Sequence, residues 1–476
     1  MIRSEGRRLG LASVEKAEER VLLRLYRATG GAPLAIKWVV GQIKQKGQSL
    51  DTMLAALHEA RGDIFEEVFA RSWSLLSEEA RRILMVMPIF AALASRAAIE
   101  AASDMHYFAL DEGLGQLVEM WLVEATDELD AIKRRYSIHP LTRAYAHELL
   151  NRDVVLKNEA RQHLATYFLA FAEEYGGKSW WEWRGTEMSK FDEMDIERDN
   201  ILNIMNLCFE AQDWKPVVEL MRRMNHPLLR SGYWAERLDY GKKALQAAVS
   251  LGDELNAAWL KVDTLGWMYM RRGEYQRARS SMIDALASFE RAGNLEGTCL
   301  ALRLLGDVTR RIGNLTESQR LLERALEIAN AEGYQDIVSD VYRFLGHLAL
   351  QQQELDKAVQ FYHEALSIAE QSPEGNEQRL NSTIVSLATA MLALGNDSQA
   401  QVLYERGLKL AQSMRRQDAI AGTKFGLAKL AERQGHLEVA LRLARDALQI
   451  YERLVAQEGV EARGLVERLE AKLSAD

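Results

Sequence analysis

The stretch Leu302–Ala329 reads LRLLGDVTRRIGNLTESQRLLERALEIA, and its pattern returns along the second half of the chain. The pair Leu305-Gly306 is followed seven residues later by Gly313, and then by Leu315, Ser318, Leu322 and Ala325. Equivalent pairs are Leu265-Gly266, Leu345-Gly346, Leu387-Ala388 and Leu427-Ala428, at steps of 40, 40, 42 and 40 residues. Catalysis demands no such period, whereas a stacked helical array does. The chain therefore reads first as a ligand-binding scaffold.

Each repeated position has a physical cause. Gly or Ala at the anchor lets a second helix approach the first. The turn is Gly273, Gly313, Gln353, Gly395 or Gly435, where glycine accepts a left-handed backbone after a helix end. Small residues follow at Ala278, Ser318, Ala358, Ala400 and Ala440, and again at Ala285, Ala325, Ala365, Gly407 and Ala447. Seven residues apart, they share one helix face. Between them Met282, Leu322, Tyr362 and Tyr404 fill the gap to the next unit, with Ala444 as the exception. An earlier unit places Gly232, Trp234, Arg237, Gly241 and Ala244 in the same slots. Ile196–Glu210 and Trp214–Met224 read as a further hairpin, and Val460–Ser474 as one amphipathic capping helix. The pattern resembles the tetratricopeptide repeat, in a longer-helix variant than the standard 34 residues.

Composition bounds the rest. The 476 residues suffice for two or three domains, and the net charge of −9 argues against a chain built mainly to hold nucleic acid. Only six prolines occur, which favours long helices. The first 50 residues carry ten Lys/Arg against four Glu, read as a solvated helix surface rather than a basic contact face. Cys208 and Cys299 stand in apolar helical contexts and read as buried free thiols. The N-terminus lacks a secretory-signal pattern, and the apolar run Ile83–Ala94 is too short for a bilayer, so a cytoplasmic location is expected.

The first 150 residues do not share the period. Gly30-Gly31-Ala32-Pro33-Leu34-Ala35 opens the apolar stretch Ile36–Ile43, with Pro33 in the first helical turn, where its missing N–H costs little. Helices are predicted at about 65–76, 78–87, 95–103 and 110–120. Trp121–Ala125 and Arg135–Ile138 are expected to pair as a short hairpin before His139-Pro140 and a helix over Thr142–Leu150.

In this order the strings resemble the STAND class of signal-transduction ATPases, in the NB-ARC branch that includes plant resistance proteins and bacterial regulators. The resemblance implies a helical arm, a winged-helix domain and a connector into repeats. It also implies nucleotide-sensing roles for Pro33, beside the adenine, and His139, at the ADP β-phosphate; Pro140 replaces the family's acidic residue. His139 has a plainer alternative, capping the helix at Pro140. The family's Gly-x-x-x-x-Gly-Lys-Ser/Thr loop has no counterpart here, because Ala172 stands where the first glycine of a Gly177-Lys178-Ser179 match belongs. No ATP hydrolysis is expected of these residues alone. No cofactor is expected either, and ADP or ATP enters only if a P-loop core is supplied.

On the inner helices, one stripe joins Asp263, Trp267 and Met270 to Arg303, Asp307 and Arg310, and these to Arg343, His347 and Leu350. Guanidinium forks hold carboxylates and phosphates bidentately, so this stripe is the candidate surface for a peptide, protein or inducer. The plainer alternative is a solvated face with local pairs, such as Asp307 with Arg311 or Arg303. Trp180-Trp181-Glu182-Trp183 reads as packing for a connecting segment rather than a cage. His147-Glu148 and His363-Glu364 start like zinc motifs, but Asn151 and Ser367 stand where the second histidine belongs, so no metal site is expected.

The expected architecture is mainly all-α, a small winged-helix domain followed by a right-handed α-solenoid. Its parts are a helical arm (1–62), a winged helix (63–150), a connector (151–194), the repeat array (195–458) and a cap (459–476). The expected role is a sensor binding a protein or peptide ligand, with the P-loop core as a further partner and no membrane. The alternative is a regulator whose winged helix binds DNA through Lys133-Arg134-Arg135. Its reading helix, about Asp111–Met120, carries Asp111, Glu112 and Glu119 and no Lys or Arg, which is poor for major-groove contact.

Overall fold

The computed structural model describes residues 1–29, 31–59, 64–126, 128, 133–176, 188–371 and 377–475. Gly177-Lys178-Ser179 and Trp180–Trp183 lie outside them. The fold is mainly all-α, as expected. The chain forms two compact units, Met1–Ala170 with Glu197–Cys208, and Phe171–Ile196 with Phe209–Asp476. The arm and the segment expected to be a winged helix thus share one unit, and the connector expected over 151–194 is divided.

In the first unit the helices fall at Ile64–Leu75, Glu78–Val86, Arg96–Ser103 and Tyr107–Glu119. Ser77 and Ser95 cap two of them, each accepting from a backbone N–H three residues on at 3.1 Å. The expected hairpin is present as β2 (Glu124–Ala125) and β3 (Arg135–Ser137), but β1 (Ala94–Ser95) pairs with the other edge of β3. Ala94 faces Tyr136 and Glu124 faces Ser137, both ladders antiparallel. Two residues give β1 no periodicity to read.

The Pro33–Lys46 helix has Pro33 at its first position, as expected. It lies against the turn after Tyr107–Glu119: a Cβ on Gly41 would stand 2.9 Å from the Met120 Cα. Trp38 Nε1 donates to the Trp121 carbonyl at 3.1 Å. His139 caps the Pro140–Arg152 helix, its Nδ1 accepting from Leu141 N at 3.2 Å. The plainer alternative for this residue is therefore realised in the geometry.

The second unit is a run of antiparallel helix hairpins. Leu295–Ile312 pairs with Leu315–Ala331, Gln335–Gln351 with Leu355–Gln371, Glu377–Leu394 with Asp397–Ser413, and Gln417–Arg433 with Leu437–Leu454. The anchor glycines act by close approach. A Cβ on Gly306 would stand 2.8 Å from Leu322 Cγ, and one on Gly346 would stand 2.5 Å from Tyr362 Cε1. The five turn residues all have positive φ, Gln353 included at +65°. The Glu458–Ala475 helix buries Ala462, Leu465 and Leu469 against the last hairpin and exposes its other face, as a cap does. Cys208 and Cys299 are both buried, and burial pushes the Cys299 thiol up to about 11.

Two features depart from a regular array. Leu260–Gly266, which contains the first anchor, is a π-helix, a local widening often found at functional sites. The array also returns on itself. Arg230, closing the Trp214–Arg230 helix, donates from Nε and Nη2 to the Met414 carbonyl, both at 2.9 Å. Gln457 N donates to the Arg271 carbonyl at 2.8 Å, and Arg271 pairs with Glu458 at 2.6 Å. One buried apolar cluster joins Trp234, Leu238, Leu265 and Met268 to Phe425, Tyr451, Leu454 and Leu465. First and last hairpins thus meet.

Candidate functional site

Inside the returned array lies a cavity of about 260 Å³. It is lined from the early units by Asn225, Arg237, Asp263, Trp267 and Arg271. Arg303, Asp307, Asp340, Arg343 and Phe344 line its middle, and Arg379, Arg416 and Asp418 complete it. Of the stripe read from sequence, Asp263, Trp267, Met270, Arg303, Asp307 and Arg343 line the cavity. Arg310, His347 and Leu350 do not.

The reason is pairing within and between neighbouring helices. Arg310 Nη2 and Arg311 Nε hold the two oxygens of Asp307 at 2.7 and 3.0 Å. The expected Asp307–Arg311 pair is real, while Arg303 turns instead to Asp340 at 2.6 Å. Arg343 reaches the other oxygen of Asp340 at 3.1 Å, and Arg379 sits 3.5 Å from that same oxygen. Burial opposes ionisation of Asp307 and Asp340. Arg311 and Arg310 outweigh it at Asp307, Arg303, Arg379 and Arg343 at Asp340, and both carboxyls stay well below the usual range. His347 donates to or accepts from Ser386 at 2.9 Å and stacks edgewise on Tyr362. Burial, then Arg343 and Arg310, push its pKa well below the ordinary value.

Aromatic faces line one side. Trp267 stands edge-on to Trp234, ring centroids 5.2 Å apart. The guanidinium groups of Arg237 and Arg271 lie 5.1 and 5.6 Å from the Trp267 ring, within cation–π range. Arg343 lies 4.4 Å from the Phe344 ring.

Arg237 stands apart. It is 1% exposed. Its Nε donates to Asn225 Oδ1 at 2.9 Å, and its Nη2 donates to the Asp263 carbonyl, within the π-helix, at 2.6 Å. These acceptors are neutral, and among the described residues no carboxylate forms an ion pair with it. Sequence reasoning missed it as a site residue, although a signal existed. Arg237 occupies the slot that Ala278, Ser318, Ala358, Ala400 and Ala440 fill elsewhere, and Gly241 takes the slot of Met282. Large and small have exchanged places, and a Cβ on Gly241 would meet Thr264 Cγ2 at 2.7 Å.

A family model described as tetratricopeptide repeat matches residues 254–331 and 338–413. Over those residues the hairpins match the tetratricopeptide repeat. The chain is similar to the transcription activator GutR of Bacillus subtilis, 24% identical over 455 residues, which cover 93% of this chain and 53% of that protein. The chain thus spans about half the length of the curated relative it matches. Among solved structures it is similar to a signal transduction ATPase with numerous domains that has a tetratricopeptide repeat sensor, from Pyrococcus horikoshii. That match has a TM-score of 0.54 and 15% identity, and covers 97% of this chain and 62% of the other. A Rap protein complexed with competence and sporulation factor matches 65% of this chain and 99% of its own, at 13% identity and a TM-score of 0.44. No described helix is long and apolar enough to cross a membrane.

Proposed function

We propose that this chain is the ligand-sensing module of a STAND-type bacterial regulator, taking its ligand in the cavity of the tetratricopeptide array. One observation carries the reading: the array returns on itself around a polar, arginine-lined cavity with aromatic faces. Binding pockets are concave and combine apolar or aromatic lining with a few placed polar groups. A cavity of about 260 Å³ suits a small inducer or the end of a peptide, and excludes a folded protein from its interior. The similarity to a transcription activator supports a regulatory role. Asp263, Trp267, Arg303, Asp307 and Arg343 would contact the ligand or set its surroundings, while Arg310 and His347 would hold the ring of charges in place.

Pro33 and His139 keep the nucleotide-sensing roles that the family resemblance implies, to be exercised on ADP held by a P-loop core. No catalytic step is assigned to residues of this chain. Direct DNA binding is the less favoured reading, because the Tyr107–Glu119 helix carries only acidic charges.

The test is calorimetric titration of the full chain with a panel of candidate inducers and short peptides. Saturable one-to-one binding that Trp267→Ala abolishes supports the reading. Failure of every compound class to bind removes it, and specific retention of operator DNA at moderate salt would favour the alternative.

A further inference from the structure

Two buried guanidinium groups from opposite ends of the array line the cavity with donors left over. Arg237 belongs to the Trp234–Leu251 helix near the start of the repeats, and Arg416 caps the Gln417–Arg433 helix near their end. Nη1 of each has no hydrogen-bond partner among the described residues. Arg416 is 4% exposed and grips Asp418 with Nε and Nη2, at 3.0 and 2.7 Å. Arg237 has neutral acceptors alone.

Burying a cation without a directly paired carboxylate is expensive, and so is leaving a buried donor unmet. A small uncharged residue at position 237 would avoid both costs, as it does in the other repeats. We infer that Arg237 and Arg416 form a clamp for a compact oxyanion, a carboxylate or phosphate group on a small ligand, held across the seam where the last hairpins meet the first. The inference rests on the sensing role proposed above and names the ligand's chemistry.

Three further observations agree. Met414, whose carbonyl receives both Arg230 bonds, stands two residues before Arg416, so the seam and the clamp are one place in the chain. Burial pushes Arg237 down to about 10, with Asp263 and Asp418 raising it and Arg416 lowering it. Burial is the largest of these effects, and an anion held at Nη1 of Arg237 relieves it. Arg237 also lies 5.1 Å from the Trp267 ring, which offers a face to the rest of the ligand.

Because each end of the array supplies one arginine, the bound anion ties the seam shut. Ligand binding then changes the closure equilibrium, as differential affinity for two states requires.

The test uses the full chain with inorganic phosphate and malonate as probes, at ionic strength held constant with chloride. Calorimetry and hydrogen exchange read binding and seam protection. At least one probe is expected to bind above the chloride background and to slow exchange over residues 414–418. Arg237→Gln and Arg416→Gln are each expected to weaken it about tenfold, while Arg320→Gln, at an exposed pair, leaves it unchanged. Arg237→Lys keeps the charge without the fork and serves if the Gln variant fails to fold. A phosphate response alone assigns a phosphate group, and a malonate response alone a carboxylate. Absence of binding by both probes overturns the clamp, as does binding that survives both substitutions. An inducer that binds the wild type and both Gln variants equally overturns the clamp and leaves the sensing role standing.

Discussion

Arg303 and Arg343, one repeat apart, share the carboxylate of Asp340: Oδ2 lies 2.6 Å from Arg303 Nη1, and Oδ1 lies 3.1 Å from Arg343 Nη2. Two residues spaced as equivalents by the repeat converge on one counter-ion, which the Gln335–Gln351 helix of Arg343 itself carries. The three predicted stripe arginines therefore do not act as a set of open forks.

Asp340→Ala leaves those two arginines and Arg379 without this counter-charge in a buried setting. Removing one partner of a buried charge cluster costs about 3 kcal/mol or more. The urea midpoint should fall sharply, and a shift below about 1 kcal/mol would mean that the cluster behaves as exposed.

Acid should weaken the array in two stages. Asp307 and Asp340 are held below their unfolded values, so their contribution is fully present above about pH 4 and is lost as pH falls through the folded values. His347 is also depressed, by burial first and then by Arg343, Arg310 and Arg311 against Asp307. The unfolded chain takes up that proton first, so stability begins to fall below about pH 6.5. His347→Gln should flatten the upper stage and leave the lower one, as melting temperature against pH would record.

Gly346→Ala should destabilise the third repeat by about 2 kcal/mol through overpacking, since its Cβ would press on the Tyr362 ring. Tyr362→Leu should cost less in that background than in the wild type. Equal costs in a double-mutant cycle would show that the anchor acts otherwise.

Gln353 holds a left-handed turn that its four counterparts assign to glycine. Gln353→Gly should raise stability by up to about 1 kcal/mol, the steric relief outweighing the unfolded-state entropy of glycine. A lower denaturation midpoint would show that the Gln353 side chain contributes more than its strain costs.

Arg230→Met removes two donors from the Met414 carbonyl. Exchange over 414–418 should accelerate while the middle repeats keep their protection. Uniform acceleration would instead mean that the array unfolds as one cooperative body.

The repeats were legible because each slot has a local demand: Gly306 for close approach, Gly313 for its turn, Leu322 for filling. The family reading of the period followed from the same residues. The return of the chain was not legible, since Arg230 and Met414 are 184 residues apart and each repeat's pattern speaks only of its neighbours. The stripe is brought only in part to the cavity for a related reason. Helical spacing put Arg310 and Arg303 on one face, but spacing does not say that Arg310 is taken by Asp307 while Arg303 reaches across to Asp340. Arg237 was visible as an exception to the small-residue slot, and exceptions to a repeat are where its function can be sought.

The return contact between Arg230 and Met414 also fixes a count. An open solenoid can gain or lose a hairpin by duplication or slippage of the gene and still fold, because each new unit finds the same neighbours. Here one extra hairpin between these two residues would carry Met414 past its donor and separate Arg416 from Arg237. Closure thus sets the number of units, and inserting one whole hairpin should open the seam where a point change on an exposed helix face would not.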